Sequence, residues 1–73
     1  MKNYNDVLRE LREDKDKTQA DIAKILNITR PQYNLYETGK RQFKIEHIRK
    51  LCEYYGVSSD YVLGLPKGLN RLD

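Results

Sequence analysis

The sequence predicts an all-α domain of five helices, and three observations carry that prediction. Apolar residues recur at helical spacing, three and four apart, along most of the chain. Threonine or serine stands just before several of these stretches as an N-cap, and glycine or asparagine closes them. The twenty residues from Gln19 to Thr38, QADIAKILNITRPQYNLYET, hold two such stretches with only a short turn between them.

The first helix is expected from about Tyr4 to Asp14, with Tyr4, Leu8 and Leu11 at i, i+4, i+7 and Val7 widening the stripe. The polar run 14–17 links it to the second, which Thr18 opens with Asp21 three residues on as its capping partner. Ile22 and Leu26 form the inward stripe of that helix, and Ala23 is small where two backbones must approach. Asn27 breaks it, being the non-glycine residue that best tolerates a left-handed backbone. Thr29 caps the third helix with Gln32 as partner, and Pro31 sits in its first turn, where a missing N–H costs little. Tyr33 and Tyr36 point inward at i, i+3, and Gly39 is the stop. The fourth helix spans roughly Ile45 to Tyr55, with Ile45, Ile48, Leu51, Cys52 and Tyr55 on one face, and ends at Gly56. Ser58 caps a short fifth helix, Ser59 to Leu63, closed by Gly64 and followed by Pro66. Residues 1–66 then form one domain with its central motif at 19–38, and 67–73 a short polar tail. The initial methionine and the lack of an obvious linker are what a whole protein would show.

Composition bounds the function. At 73 residues, the chain is near the lower limit for a self-sufficient core. It has no apolar run long enough to span a membrane and no secretory signal. The single Cys52 excludes an intramolecular disulfide and fits a reducing compartment, so a cytoplasmic location is expected. The net charge of +3 is modest, but its placement is informative. Up to Ile28, six basic residues balance six acidic ones; from Thr29 to Lys50, Arg30, Lys40, Arg41, Lys44, Arg49 and Lys50 face only Glu37 and Glu46; the remainder carries −1. The positive excess falls on the third helix and the segment after it, where a phosphate-facing surface would lie.

Catalysis and ligand chemistry find little support. One His47 and one Cys52 assemble no nucleophile, base and orienting group, and no glycine-rich phosphate loop exists. His47 has no second ligand at metal spacing, so no metal and no cofactor are expected, nor is a small-molecule ligand evident. The six tyrosines suggest a base-stacking platform, but Tyr33, Tyr36 and Tyr55 fall on apolar helical faces and are read as core. Cys52, on the inward face of helix four, is read as a small buried hydrophobe.

Two helices joined by so short a turn have the layout of a helix-turn-helix, whose second helix enters the major groove of DNA. The run TQADIAKILNITRPQYNLYETGKR, with LREDK before it and IRKLCEYYGVSSDYVLGL after it, resembles the XRE family, the lambda repressor and Cro-like DNA-binding proteins. The likeness covers about Val7 to Leu65 and implies a compact five-helix lambda repressor-like domain. Asn27 departs from it where the family usually has glycine, and Tyr33 and Tyr36 where it usually has aliphatics.

Position on the motif makes Thr29, Arg30, Gln32, Asn34 and Leu35 the candidates for base contact. Arg30 comes first, since a guanidinium bonds both O6 and N7 of guanine. Gln32 suits adenine unless it is committed to capping Thr29, and Leu35 suits a thymine methyl or fills space. Phosphate contacts are expected from Gln19 at the start of helix two, by the family likeness and the exposed N–H groups there. The likeness also implies a second backbone clamp from the loop of Lys40, Arg41 and Lys44, to which Thr38 could add a hydroxyl. The likeness further implies that Arg12 and Glu37 form a partly buried structural ion pair.

These readings predict a sequence-specific, non-enzymatic, double-stranded DNA-binding regulator of bacterial or phage type, repressing by occupancy. One recognition helix covers about half a site, so a homodimer on a two-fold operator is expected, with Tyr61, Val62, Leu65, Leu69 and Leu72 as the candidate dimer surface. Two alternatives stay open: the same fold serving as an antitoxin or restriction-modification controller, and a protein-interaction adapter.

Overall fold

The structure is a computed structural model that describes residues 3–64. Five helices follow one another as α1 (Tyr4–Asp14), α2 (Gln19–Leu26), α3 (Arg30–Glu37), α4 (Ile45–Tyr55) and α5 (Ser59–Leu63), with no strand among the described residues. The bounds follow the expected ones, and α2, α3 and α5 each begin at a Thr or Ser cap, whereas α4 begins at Lys44 without one. The Thr18 hydroxyl accepts from the Asp21 backbone N–H at 3.1 Å, while the Thr18 N–H donates to the Asp21 carboxylate at 3.0 Å. Those bonds, the backbone one foremost, hold the Asp21 carboxyl below its ordinary range. Thr29 and Gln32 repeat the arrangement at 3.2 and 3.0 Å, and the Ser58 hydroxyl accepts from the Tyr61 N–H at 3.1 Å.

Between α2 and α3 the backbone turns at Asn27, which is left-handed at φ 60°, ψ 43° as its side chain permits. The Ile28 N–H donates back to Ala23 O at 3.0 Å, satisfying a carbonyl that the helix end would otherwise leave unpaired. α2 packs chiefly on α3, α1 on α3 and α5, and α4 on α5. Asp16, also left-handed at φ 56°, turns the chain from α1 into α2, a conformation the polar run 14–17 did not disclose.

Leu8, Ile22, Ala23, Leu26, Tyr33, Tyr36, Leu51, Cys52, Tyr55 and Val62 form the buried core together with Phe43. Tyr33, Tyr36, Tyr55 and Cys52 are thus core residues, as read from the sequence. Phe43 is a finding of the fold. It lies in the loop before α4, stacks on Tyr36 with ring centroids 5.2 Å apart, and meets Tyr33 and Tyr4 edge-on at 6.0 and 6.1 Å. This aromatic group anchors the loop to α3.

The inward face of α4 requires a correction. Ile45, expected inside, is 79% exposed, while His47 is buried at 8%. The seam of α4 runs through His47, Leu51 and Tyr55 at i, i+4, i+8, which puts Ile45 about 200° around the helix from His47. Hydropathy alone prefers isoleucine inside. The aromatic group prefers a flat ring: His47 meets Tyr36 edge-to-face with centroids 5.2 Å apart. A second correction concerns the dimer surface. Val62 is fully buried and closes the core, whereas Tyr61 is 60% exposed; Leu65, Leu69 and Leu72 lie outside the described residues.

His47 gives the fold an acid sensitivity. Burial pushes the imidazole below its ordinary 6.5; Glu46 opposes this, and Lys44 and Lys50 add to it. Its position in the first turn of α4 also disfavours a positive charge. With the folded value below the unfolded one, the unfolded chain takes up the proton first. The contribution of His47 is therefore intact above about pH 6.5 and is lost as pH falls from there through the folded value. The urea midpoint is expected to fall between pH 7 and pH 5, and His47→Phe to flatten that slope; an unchanged slope in the variant would assign it to other groups.

Candidate nucleic-acid interface

The third helix offers its N-terminal side to solvent because its inward stripe is short. Tyr33 and Tyr36 are buried with Glu37, while Thr29, Arg30, Pro31 and Gln32 are exposed and Asn34 and Leu35 half-buried. The five base-contact candidates differ in what they have left to offer. Arg30 is exposed and has no ion-pair partner among the described residues, so all its donors are free. The Gln32 carbonyl oxygen accepts from the Thr29 N–H, so the cap takes that side of its amide. Asn34 Oδ1 accepts from Gln19 Nε2 at 3.1 Å. Leu35 has only methyl groups to present.

Beneath α3 lies the predicted ion pair, and it is larger than a pair. Arg12 grips the Glu37 carboxylate with both Nε (3.0 Å) and Nη2 (2.8 Å), a bidentate fork whose side chains are only 13% and 3% exposed. Its Nη1 donates to Lys17 O at 2.7 Å and so fixes the α1–α2 connection. Gln19 Nε2 also reaches Glu37, at 3.4 Å, and Asn5 Nδ2 donates to Glu37 O at 3.1 Å. Burial opposes ionisation of Glu37, but the Arg12 bonds, with Tyr33 and Gln19 close by, more than offset it and hold the carboxyl below its ordinary range. The pairing in turn raises Arg12. The Tyr33 hydroxyl is buried without a well-formed hydrogen bond, and desolvation, with Glu37 near, pushes its ionisation far up. The negative charge of Glu37 is therefore neutralised within the scaffold and does not oppose a polyanion at α3.

The phosphate candidates fall in two places. Gln19 opens α2; its side chain belongs to the Glu37 network, so what it presents outward is the backbone N–H of a helix start. A shallow cleft there is lined by Arg12, Lys17, Thr18, Gln19 and Arg30, together with Glu13 and Asp16. Lys40, Arg41 and Lys44 are exposed in the loop after α3, free of ion pairs among the described residues. That loop is shaped by Gly39 at φ 83°, where a side chain would be strained and would crowd Asn5. The Arg41 N–H donates to Leu35 O at 3.0 Å, which ties the loop to α3. Thr38 is also exposed, but its hydroxyl donates to Asn34 O at 2.7 Å, so a phosphate contact from it requires exchanging that bond.

Sequence reasoning missed Asn5 and Phe43 as positioning residues. Phe43 carried a signal, being the one phenylalanine and standing in an otherwise polar loop. Asn5 carried none, since an asparagine in the first turn of a helix is ordinary.

Comparison with known proteins agrees with this geometry. A helix-turn-helix family model matches residues 8–62. The chain is 35% identical over 60 residues to the SPbeta prophage-derived uncharacterized HTH-type transcriptional regulator YonR of Bacillus subtilis, covering 82% of this chain and 56% of that protein. It is 32% identical over 54 residues to the cryptic phage CTXphi transcriptional repressor RstR of Vibrio cholerae (74% and 49%). It is 32% identical over 66 residues to the antitoxin PezA of Streptococcus pneumoniae (90% and 42%). The chain spans about half the length of the curated relatives it matches. No solved structure matches it significantly. With its capped α2–turn–α3 unit and this family match over most of its length, the chain belongs to the XRE family of helix-turn-helix proteins.

Proposed function

We propose that this protein is a sequence-specific double-stranded DNA-binding transcriptional repressor that lays α3 in the major groove and acts without enzymatic chemistry, in the cytoplasm, as a homodimer on a two-fold operator. The observation that carries the reading is the unpaired positive set, Arg30 on α3 and Lys40, Arg41 and Lys44 just after it, on a frame that has neutralised its own Glu37. Arg30 and the free amide nitrogens of Gln32 and Asn34 meet base edges, with Thr29 and Leu35 beside them; the loop and the start of α2 hold phosphates. Relatives described as a repressor and as HTH-type regulators support repression. The likeness to an antitoxin supports a second reading, in which the same DNA contacts serve a toxin–antitoxin pair.

Selection of sites from a random duplex pool at physiological salt tests the proposal. Enrichment of a two-fold site with half-site centres about one helical turn apart is expected. Salt-sensitive background binding with no enriched site would leave the fold to an adapter role. Two variants separate the contacts. Arg30→Ala is expected to lose about tenfold or more in affinity for the selected site and to relax the preference at one base pair. Arg41→Ala is expected to weaken all duplexes alike and reduce the salt slope by about one. Equal effects of both variants on random and selected duplexes would remove Arg30 from base reading.

A further inference from the structure

The hydrogen-bond network under α3 fixes which polar atoms that helix turns outward. The Glu37 carboxylate can only accept, and Arg12 holds it with Nε at 3.0 Å and Nη2 at 2.8 Å. The Gln19 amide that reaches the same carboxylate, at 3.4 Å, must therefore point its nitrogen inward. That nitrogen also meets Asn34, at 3.1 Å, so Asn34 turns its oxygen to Gln19 and keeps its NH2 for the other side. A second amide is set in the same sense by a different device. The Gln32 oxygen accepts from the Thr29 backbone N–H at 3.0 Å, which leaves the Gln32 NH2 free. Neither NH2 group has a partner among the described residues. Arg30 carries donors alone, is exposed, and stands one turn from Asn34 on the same face. Glu37, the one carboxylate of α3, is 4% exposed and spent within the scaffold.

The edges of the major groove divide by the same polarity. Guanine and thymine present carbonyl acceptors there, whereas adenine and cytosine present amino donors. An amide that recognises adenine needs its oxygen for N6 and its nitrogen for N7. Gln32 and Asn34 have both turned that oxygen away. We propose that α3 reads its half-site with donors alone, so that Arg30, Gln32 and Asn34 select guanine or thymine against adenine and cytosine, and that Gln19 is the positioning residue that sets the polarity of Asn34. This deepens the DNA-binding function proposed above and rests on it. The buried Arg12–Glu37 pair thereby orients a base-reading amide through Gln19 without itself touching DNA.

Titration of duplexes that carry each of the four base pairs in turn, position by position along a selected site, tests it. Asn34→Ala marks the pair that Asn34 reads, as the one whose preference is lost. At that pair the unaltered protein is expected to favour guanine and thymine on one strand over adenine and cytosine, by about fivefold or more. Asn34→Asp keeps an acceptor for Gln19 but turns a second oxygen outward, so it is expected to exchange the two groups and favour cytosine or adenine. Gln19→Ala frees the Asn34 amide to turn, and adenine is expected to bind there at least as well as guanine. Loss of a phosphate contact alone would weaken all four pairs alike, and that outcome overturns the positioning role. Circular dichroism checks that each variant is folded; if Asn34→Asp is not, Gln19→Ala carries the same test. Adenine specificity of the unaltered protein at the Asn34 pair overturns the proposal. So does an Asp variant with its preference unchanged, or an Asn34→Ala variant that keeps every preference. Failure to select any site removes the DNA reading together with this one. A well-selected site that prefers adenine keeps the DNA reading and overturns only the donor polarity.

Discussion

Phe43→Ala is expected to cost about 3–5 kcal/mol, the range for deleting a buried phenylalanine. A chain of this length has roughly 4–11 kcal/mol of stability in total, so the loss removes a large part of it. The size follows from the position of Phe43: buried, stacked on Tyr36, and edge-on to Tyr33 and Tyr4. Rings on α1 and α3 cannot both close over the space it leaves. Phe43→Leu, which refills most of that space, should recover more than half of the loss. Phe43 also anchors the loop carrying Lys40, Arg41 and Lys44. The alanine variant is therefore expected to show a shallower salt dependence of DNA binding at temperatures where it remains folded. Urea unfolding measures the first effect and titration at two salt concentrations the second; a variant within 1 kcal/mol of the parent would show that the aromatic group is not a unit.

Arg12→Ala is expected to destabilise the domain by roughly 3 kcal/mol, since removing one partner leaves the other charge buried and alone. Glu37 is 4% exposed, and its remaining side-chain donor at bonding distance is Gln19 at 3.4 Å. The pH dependence gives a sharper test. In the parent, the Glu37 carboxyl is held below its ordinary 4.5, so its contribution is present above that value and is lost as pH falls through the folded one. Without Arg12, burial dominates and raises the carboxyl instead. The variant should then gain relative to the parent as acid neutralises Glu37, and the gap between them should narrow below about pH 5. Arg12→Ala with Glu37→Gln should lose less than Arg12→Ala alone. Urea midpoints at pH 7 and pH 4.5 that move in parallel for parent and variant would show that the pair is not electrostatically coupled in this way.

Much of the architecture was legible because its signals are local. Thr18 with Asp21 and Thr29 with Gln32 specify helix starts through bonds spanning three residues. Asn27 specifies the turn through its own backbone preference. The failures share a cause. Ile45 was assigned inward by hydropathy, a property of the residue, and His47 was given no place in the core, when the deciding partner was a ring on another helix. Tyr36 and Phe43 are seven residues apart in sequence, and His47 meets the Tyr36 ring edge-to-face. Among the site residues, Arg30 and the loop cations stood out by charge and position. The commitment of Gln19 and Asn34 to one another did not, because a hydrogen bond between side chains fifteen residues apart leaves no periodic trace.

The sequence by itself determined where the capped helices α2, α3 and α5 begin, that two of them meet across a left-handed asparagine, and which segment carries the positive charge. These depend on interactions within a few residues, whose energies are set before the chain collapses. Only the tertiary structure decided that Gln19 and Asn5 join the Arg12–Glu37 pair in a buried network, that Phe43 holds the basic loop to α3, and that Ile45 is left facing solvent. Those outcomes depend on which distant side chains fill the same low-dielectric volume, where packing and charge pairing are settled together.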